Sequence, residues 1–135
     1  MKPEWIIDRV IDLAKELHEL GYWREIQYGD WYINPGENRV CLWVKDYPYT
    51  TGTHCPNIPT LTDCLDWLEE KRCPEIAVYA RPLGLMKTSH GVEVFQEANW
   101  GCTYGDDVKN SYTTAPTPTE AAYLAMIKIL EVDNE

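Results

Sequence analysis

Histidine and cysteine are the side chains of this chain with the widest chemical range, but their spacing does not predict a metal site. Zinc ligands usually come in closely spaced pairs such as C-x2-C, and the chain contains no such pair. Cys64 falls on the inward face of a predicted helix, where a thiol packs as a small hydrophobic group. We therefore expect no bound metal and no cofactor. The side chains considered as possible metal ligands are spread along the chain: His54, Cys55, Cys64, Cys73, His90 and Cys102.

A nucleophilic cysteine is not predicted either. Thiol catalysis needs a neighbouring base and a stabilised thiolate. His54 and Cys55 are adjacent, and adjacent side chains of an extended segment point in opposite directions. Cys102 is followed closely by Asp106 and Asp107, and nearby carboxylates disfavour a thiolate.

Paired carboxylates such as Glu69-Glu70 and Asp106-Asp107 are a weak signal, because 22 acidic residues produce pairs by chance. A solvated face explains each pair as well as acid–base chemistry does. The chain also lacks the phosphate-binding, dinucleotide-binding, zinc-protease and serine-hydrolase motifs. The sequence therefore gives no indication of an enzyme.

Net charge narrows the kinds of partner. The chain carries 22 acidic and 12 basic residues, for a formal charge of −10. The electrostatic field of a protein with this negative charge repels the phosphate backbone of nucleic acids, so direct binding to nucleic acid is not expected. Basic proteins are the partners that this charge favours, although solubility alone also explains an acidic chain.

Length and composition predict one globular domain over residues 1–135, with six Trp and nine Tyr against one Phe. Trp and Tyr are enriched at interfaces, which favours an exposed aromatic patch. No stretch approaches the ~18 apolar residues of a membrane span, and the N-terminus does not resemble a signal peptide. We expect a cytoplasmic protein with free thiols and no membrane contact.

Three amphipathic helices should position these residues. An apolar stripe that ends at Leu20, before Gly21, predicts a helix over residues 3–20. Thr60 and Asp63 have the spacing of a capping box for a second helix, whose inward face is Leu61, Cys64, Leu65 and Leu68. Thr117, Pro118 and Glu120 mark the third helix start, with Tyr123, Met126, Ile127 and Leu130 facing inward.

Short strands fill the intervals between the helices. We predict a strand over Tyr22–Tyr28, a hairpin of residues 31–33 with residues 40–44, and two strands in "EIAVYARP" and "VEVFQEANW". The order is α-β-β-(β)-α-β-β-α, which indicates an α+β fold with a small antiparallel sheet packed with three helices.

Two long loops, 45–59 and 101–118, are the best candidates for a functional surface, since loops of this length in small domains are often functional. Tyrosine-rich loops beside acidic residues suit protein recognition. Ordinary connections whose tyrosines pack over the sheet are the simpler alternative. The candidate binding residues are Tyr47, Tyr49, His54, Tyr104, Asp106, Asp107 and Tyr112.

The stretches "ELGYWREIQYGDWYIN", "IPTLTDCLDWLEEK" and "TPTEAAYLAMIKIL" together resemble small proteins encoded by phages and prophages of Firmicutes. In that class a P-x-L-x-D-x-L-x-W-L helix and a T-P-x-E-A C-terminal helix recur around a small sheet. The resemblance implies a shared fold and no particular activity. With the charge, it implies contact with a basic host or phage protein.

Two other hypotheses stay open. One is a small enzyme whose site lies between the loops 45–59 and 101–118 and uses His54 or His90 with Asp106 or Asp107. A deep cleft there would favour it, whereas a flat aromatic patch would favour a binding protein. The other is a homodimer formed through the third helix or an edge strand.

Overall fold

The described residues fold into three helices and eight short strands, confirming the α+β class. The computed structural model describes residues 2–24, 26–34, 36, 38–44, 55–71, 76–81, 84–87, 93–96, 99–105 and 110–133. The helices are α1 (Asp8–Glu19), α2 (Leu61–Glu70) and α3 (Pro118–Asp133).

The strands form two three-stranded antiparallel sheets and one two-stranded ribbon within the described residues, where the sequence predicted one small sheet. The first sheet has the order β2-β1-β3, the second has the order β4-β7-β8, and β5 pairs with β6. Their bounds are β1 (Trp31–Asn34), β2 (Arg39–Leu42), β3 (Asn57–Ile58), β4 (Ala77–Arg81), β5 (Gly84–Lys87), β6 (Glu93–Gln96), β7 (Asn99–Gly105) and β8 (Asn110–Ala115).

Helix α3 is the centre of the fold. It packs against α1 and α2 on its sides and against β4, β7 and β8 across the second sheet. The four residues predicted to face inward are buried, and so are alanines 121, 122 and 125, whose small side chains let neighbouring elements approach. Tyr123 is fully buried and its hydroxyl donates a hydrogen bond to the carbonyl of Pro59, 2.5 Å away.

The predicted helix starts are confirmed at α2 and α3. The Thr60 hydroxyl accepts from the amide of Asp63 at 3.2 Å, and the Asp63 carboxylate accepts from the amide of Thr60 at 3.0 Å. At α3 the Thr117 hydroxyl accepts from the amide of Glu120 at 3.3 Å and donates to its carboxylate at 2.8 Å. These contacts are local, which is why the sequence predicts them.

Helix α1 begins later than predicted, at Asp8. It ends at a Schellman motif: the amide of Gly21 donates to the carbonyl of His18 at 3.1 Å, and the amide of Tyr22 donates to the carbonyl of Leu17 at 2.9 Å. Tyr22 and Leu17 are both buried, as the apolar contact of this motif requires. Gly21 adopts a φ of +99°, a left-handed conformation that disfavours L side chains.

Replacing Gly21 by alanine is expected to lower the free energy of unfolding by about 1 kcal/mol, because a Cβ makes the left-handed conformation costly. The cost is conformational, since a Cβ at Gly21 meets no atom within 4 Å. Denaturant unfolding of the variant measures it. Gly36→Ala is the control, because Gly36 lacks a positive φ and its added Cβ makes an ordinary 3.5 Å contact. Equal stability of the two variants would contradict the expectation.

Three predictions of secondary structure are wrong. Residues 57–58, near the end of the predicted loop 45–59, form β3, which pairs with β1. The described residues of 22–28 form no strand, because Tyr22 is held by the α1 terminus and a turn follows, with the Asp30 amide donating to the Gln27 carbonyl at 2.9 Å. The segment 101–118 is not a long loop, because β7 runs to Gly105 and β8 spans Asn110–Ala115. Its Thr and Tyr residues favour a strand once β4 pairs with β7.

Candidate functional site

Five of the seven predicted binding residues lie outside the described residues: Tyr47, Tyr49, His54, Asp106 and Asp107. His90, the other histidine of the enzyme hypothesis, is outside them as well. The arrangement of those groups therefore remains a prediction.

The structure places Tyr104 and Tyr112 on opposite faces of the second sheet. Tyr104 pairs with Ser111 across the β7–β8 ladder, whereas Tyr112 pairs with Thr103. Because side chains alternate along a strand, Tyr104 shares the helix-facing side with Cys102, and Tyr112 points the other way. Tyr104 is 7% exposed and Tyr112 is 60% exposed. Of these two residues, only Tyr112 offers an accessible side chain.

A groove with a volume of about 660 Å³ lies between α1, α3 and β8. We call it the β8 groove. Helix α1 forms one wall, β8 forms the opposite wall, and α3 lies between them. Its lining residues are Arg9, Glu16, Tyr112, Thr113, Thr114, Leu124, Ile127, Lys128 and Glu131.

Helix α3 contributes one continuous face to the β8 groove. Leu124, Ile127, Lys128 and Glu131 follow the i, i+3, i+4, i+7 spacing that aligns side chains on a helix. Leu124 is half-buried and Ile127 is buried, so the floor is apolar. Lys128 and Glu131 are exposed and form a charged rim.

Strand β8 is an edge strand of its sheet, and its main chain borders the groove. The order β4-β7-β8 leaves one side of β8 unpaired with any other described strand. The Lys128 ammonium lies 3.5 Å from the carbonyl oxygen of Tyr112, so that carbonyl is accessible from the groove. The Thr113 hydroxyl donates to the carbonyl of Ala121 at 2.6 Å and fixes β8 on α3.

The charges of the groove balance locally, but its outer rim is acidic. Arg9 and Lys128 offset Glu16 and Glu131 among the lining residues. Beside the groove, the exposed residues Asp8, Asp12, Glu16 and Glu19 follow spacings of 4, 4 and 3 along α1 and form a mainly acidic ridge, with the half-buried Lys15 on the same side of the helix. A basic segment in the groove would lie next to this ridge.

Other described features have structural roles. Arg24 binds the carboxylates of Asp63 at 2.7 Å and Asp30 at 3.3 Å, which ties the segment after α1 to the start of α2.

No three His, Cys, Asp or Glu residues in the described part of the chain are arranged to hold a metal ion. The four described cysteines form no disulfide with one another. None of the described helices is long and apolar enough to cross a membrane.

Sequence reasoning missed the β8 groove, because it placed residues 110–115 in a loop. One feature of the sequence does indicate an additional surface on α3. Helix α3 is apolar around most of its circumference over residues 121–130, a pattern typical of a helix with several packing surfaces. Leu124 lies outside the predicted inward face and marks the additional surface.

Comparisons with protein-family models, with curated proteins and with solved structures found no match to this chain.

Proposed function

We propose that the protein is a non-catalytic binding protein and that its β8 groove holds a basic segment of a partner protein. The observation that carries the proposal is an open groove of about 660 Å³ with an apolar floor, beside a sheet edge and an acidic ridge. Apolar contact would supply affinity, and the acidic ridge would select the charge of the partner.

The composition of the groove supports a protein ligand better than a small molecule. Small-molecule sites are largely enclosed and place a few polar groups inside an apolar cavity. Here the polar groups Arg9, Lys128 and Glu131 are exposed at the rim. The buried polar side-chain atoms that lack a hydrogen bond belong to Asn57 and Asn99 in the described part, and neither residue lines the groove.

The total charge of −10 supports a basic partner over nucleic acid or a second copy of this chain. Like charges repel and slow encounter, whereas opposite charges accelerate it. A basic host or phage protein is therefore the partner that we propose. Phage or prophage origin is part of the proposal and rests on the three stretches in residues 19–34, 58–71 and 117–130.

Selection from a displayed library of random peptides tests this function. The wild-type protein is expected to enrich peptides rich in Lys and Arg. The double variant Glu16→Lys/Glu131→Lys should bind the enriched peptides at least about tenfold more weakly than the wild-type protein does, because it replaces the two negative charges of the groove with positive ones. Absence of enrichment would overturn the proposal.

A matched variant separates the groove from net charge. Glu69→Lys/Glu70→Lys makes the same change in total charge at exposed positions of α2, outside the groove. We expect it to reduce binding much less than the groove variant, because distant exposed charges are screened by salt. An equal loss in both variants would show that the acidic field alone attracts the peptides, and would overturn the assignment to the groove.

A further inference from the structure

We infer that the partner segment binds in extended form and adds a fourth strand to the second sheet, along the edge of β8 that pairs with no other described strand. The inference rests on the proposed function and specifies how the β8 groove recognises its partner. Strand addition to a sheet edge is an established mode of peptide recognition, in which main-chain hydrogen bonds give affinity and the groove beside the edge gives specificity.

The main chain of β8 has the orientation that strand addition needs. The carbonyl of Tyr112 is accessible from the groove, where the Lys128 ammonium lies 3.5 Å from it. In an antiparallel strand the amide and the carbonyl of one residue point to the same side, and this side alternates along the chain. The amides and carbonyls of Asn110, Tyr112 and Thr114 therefore face the groove, and those of Ser111, Thr113 and Ala115 pair with β7.

The layers of the fold leave space for an additional strand. The second sheet packs on α3, whereas α1 packs mainly against α3 and β3. Both helices line the groove beyond the edge of β8. A strand placed about 4.8 Å from β8 would lie over Leu124 and Ile127 and beside Glu16. Its inward side chains would contact the apolar floor, while long basic side chains would reach the α1 ridge.

Lys128 is consistent with an edge that is protected until a partner arrives. Lysines at sheet edges hinder unwanted strand pairing. The Lys128 side chain is exposed and its contact with the Tyr112 carbonyl is long, so an incoming amide can replace it. The charge of −10 opposes pairing of β8 with a second copy of the chain, which leaves a basic segment as the occupant.

The test uses the synthetic peptide acetyl-Lys-Val-Lys-Val-Lys-Val-Lys-amide. An extended heptapeptide spans roughly 23 Å, enough to cover the six residues of β8. Two isomers carry backbone N-methyl groups, one on the three valines and the other on the first three lysines. For a peptide that binds in one direction with its valines over the apolar floor, only one isomer loses the amides that face β8, because alternate amides point to opposite edges.

We expect calorimetry to show binding of the unmethylated peptide to the wild-type protein. The isomer whose methyl groups replace the amide hydrogens that face β8 should bind at least about tenfold more weakly than the other, because it cannot donate hydrogen bonds to β8. Equal binding of the two isomers would overturn strand addition, because side-chain and charge contacts do not distinguish them. Failure of the unmethylated peptide to bind, or a dimer of the free protein at the assay concentration, would also overturn it.

Variants of Tyr112 provide an independent test on the protein side. Tyr112→Pro removes the groove-facing amide, whereas Tyr112→Ala keeps the amide and removes the exposed ring. We expect the proline variant to bind the peptide at least about tenfold more weakly than the alanine variant, with circular dichroism showing that both fold. Equal binding of the two variants would contradict strand addition. The library selection distinguishes failure of strand addition from failure of the proposed function. If basic peptides are enriched but the two isomers bind equally, only strand addition is refuted. If no peptides are enriched, the proposed function is refuted and strand addition with it.

Discussion

Replacing Tyr123 by alanine is expected to lower the free energy of unfolding by about 3–5 kcal/mol, the range for removing a large buried aromatic side chain. Tyr123 is fully buried in α3, the helix that contacts α1, α2 and the second sheet. A cavity at this position would loosen all of these contacts. The loss is a large share of the ~5–15 kcal/mol that holds a typical domain folded.

Tyr123→Phe separates the ring from its hydroxyl. The hydroxyl donates to the Pro59 carbonyl, directly before the capping residue of α2. Its removal leaves a buried carbonyl without this donor and should cost about 1–3 kcal/mol. Denaturant unfolding of both variants measures these losses, with Tyr112→Phe as the control because Tyr112 is 60% exposed. A Tyr123→Phe variant as stable as the control would show that the hydrogen bond adds nothing to stability.

Stability is expected to fall steeply above about pH 9–10, where cysteine and tyrosine side chains ionise in an unfolded chain. Burial raises the pKa of Tyr22, of Cys64 and of Tyr123 in the folded protein. Their mutual proximity adds to this, since the Cys64 thiol also raises the pKa of both tyrosines. The three groups therefore stay protonated in the fold at a pH at which the unfolded chain loses their protons.

The direction of the effect follows from proton binding. Where the folded state holds more protons, the free energy of unfolding decreases as the pH rises. The stability linked to these groups is fully present below their unfolded pKa values and is lost as the pH rises toward their folded values. Each group contributes a slope of about 1.4 kcal/mol per pH unit, so the three together give about 4 kcal/mol per pH unit at most.

Denaturant unfolding between about pH 8 and about pH 10.5 measures this slope. Tyr22→Phe should reduce it, because phenylalanine keeps the ring that packs edge-on against Trp67, 6.2 Å away, and has no proton to lose. Tyr28→Phe is the matched control, since Tyr28 is 75% exposed. A stability that stays constant over this range, or an equal slope in both variants, would contradict the expectation.

The predicted elements that proved correct depend on neighbours in sequence. The helix starts at Thr60 and Thr117 and the helix end at Gly21 need residues only a few positions apart. The hairpin of β1 and β2 is also local, with Tyr32 opposite Cys41. Such features follow from side-chain chemistry and period, which a single sequence displays.

The predicted loop 101–118 hid most of β7 and all of β8, because β7 depends on β4, a partner that is distant in the sequence. Strand β7 pairs with β4, where Val78 lies opposite Cys102, and this pairing gives β8 a sheet to extend. The role of Gly101 in β7 also depends on the neighbouring strand β4. A Cβ there would lie 2.9 Å from the Tyr79 ring, which packs over the glycine from the neighbouring strand. A glycine and a threonine-rich run favour a loop until a distant strand provides the pairing.

The sequence by itself determined three helices, the residues that start α2 and α3 and end α1, an acidic charge and the α+β class, because each depends on composition or on contacts within a few residues. Only the tertiary structure decided which tyrosine is exposed, where the sheet ends and which surfaces meet at the β8 groove. Arg9 comes from α1, whereas Tyr112 and Lys128 come from β8 and α3, about a hundred residues further along the chain. Their proximity is set by the packing of α1 and β8 around α3.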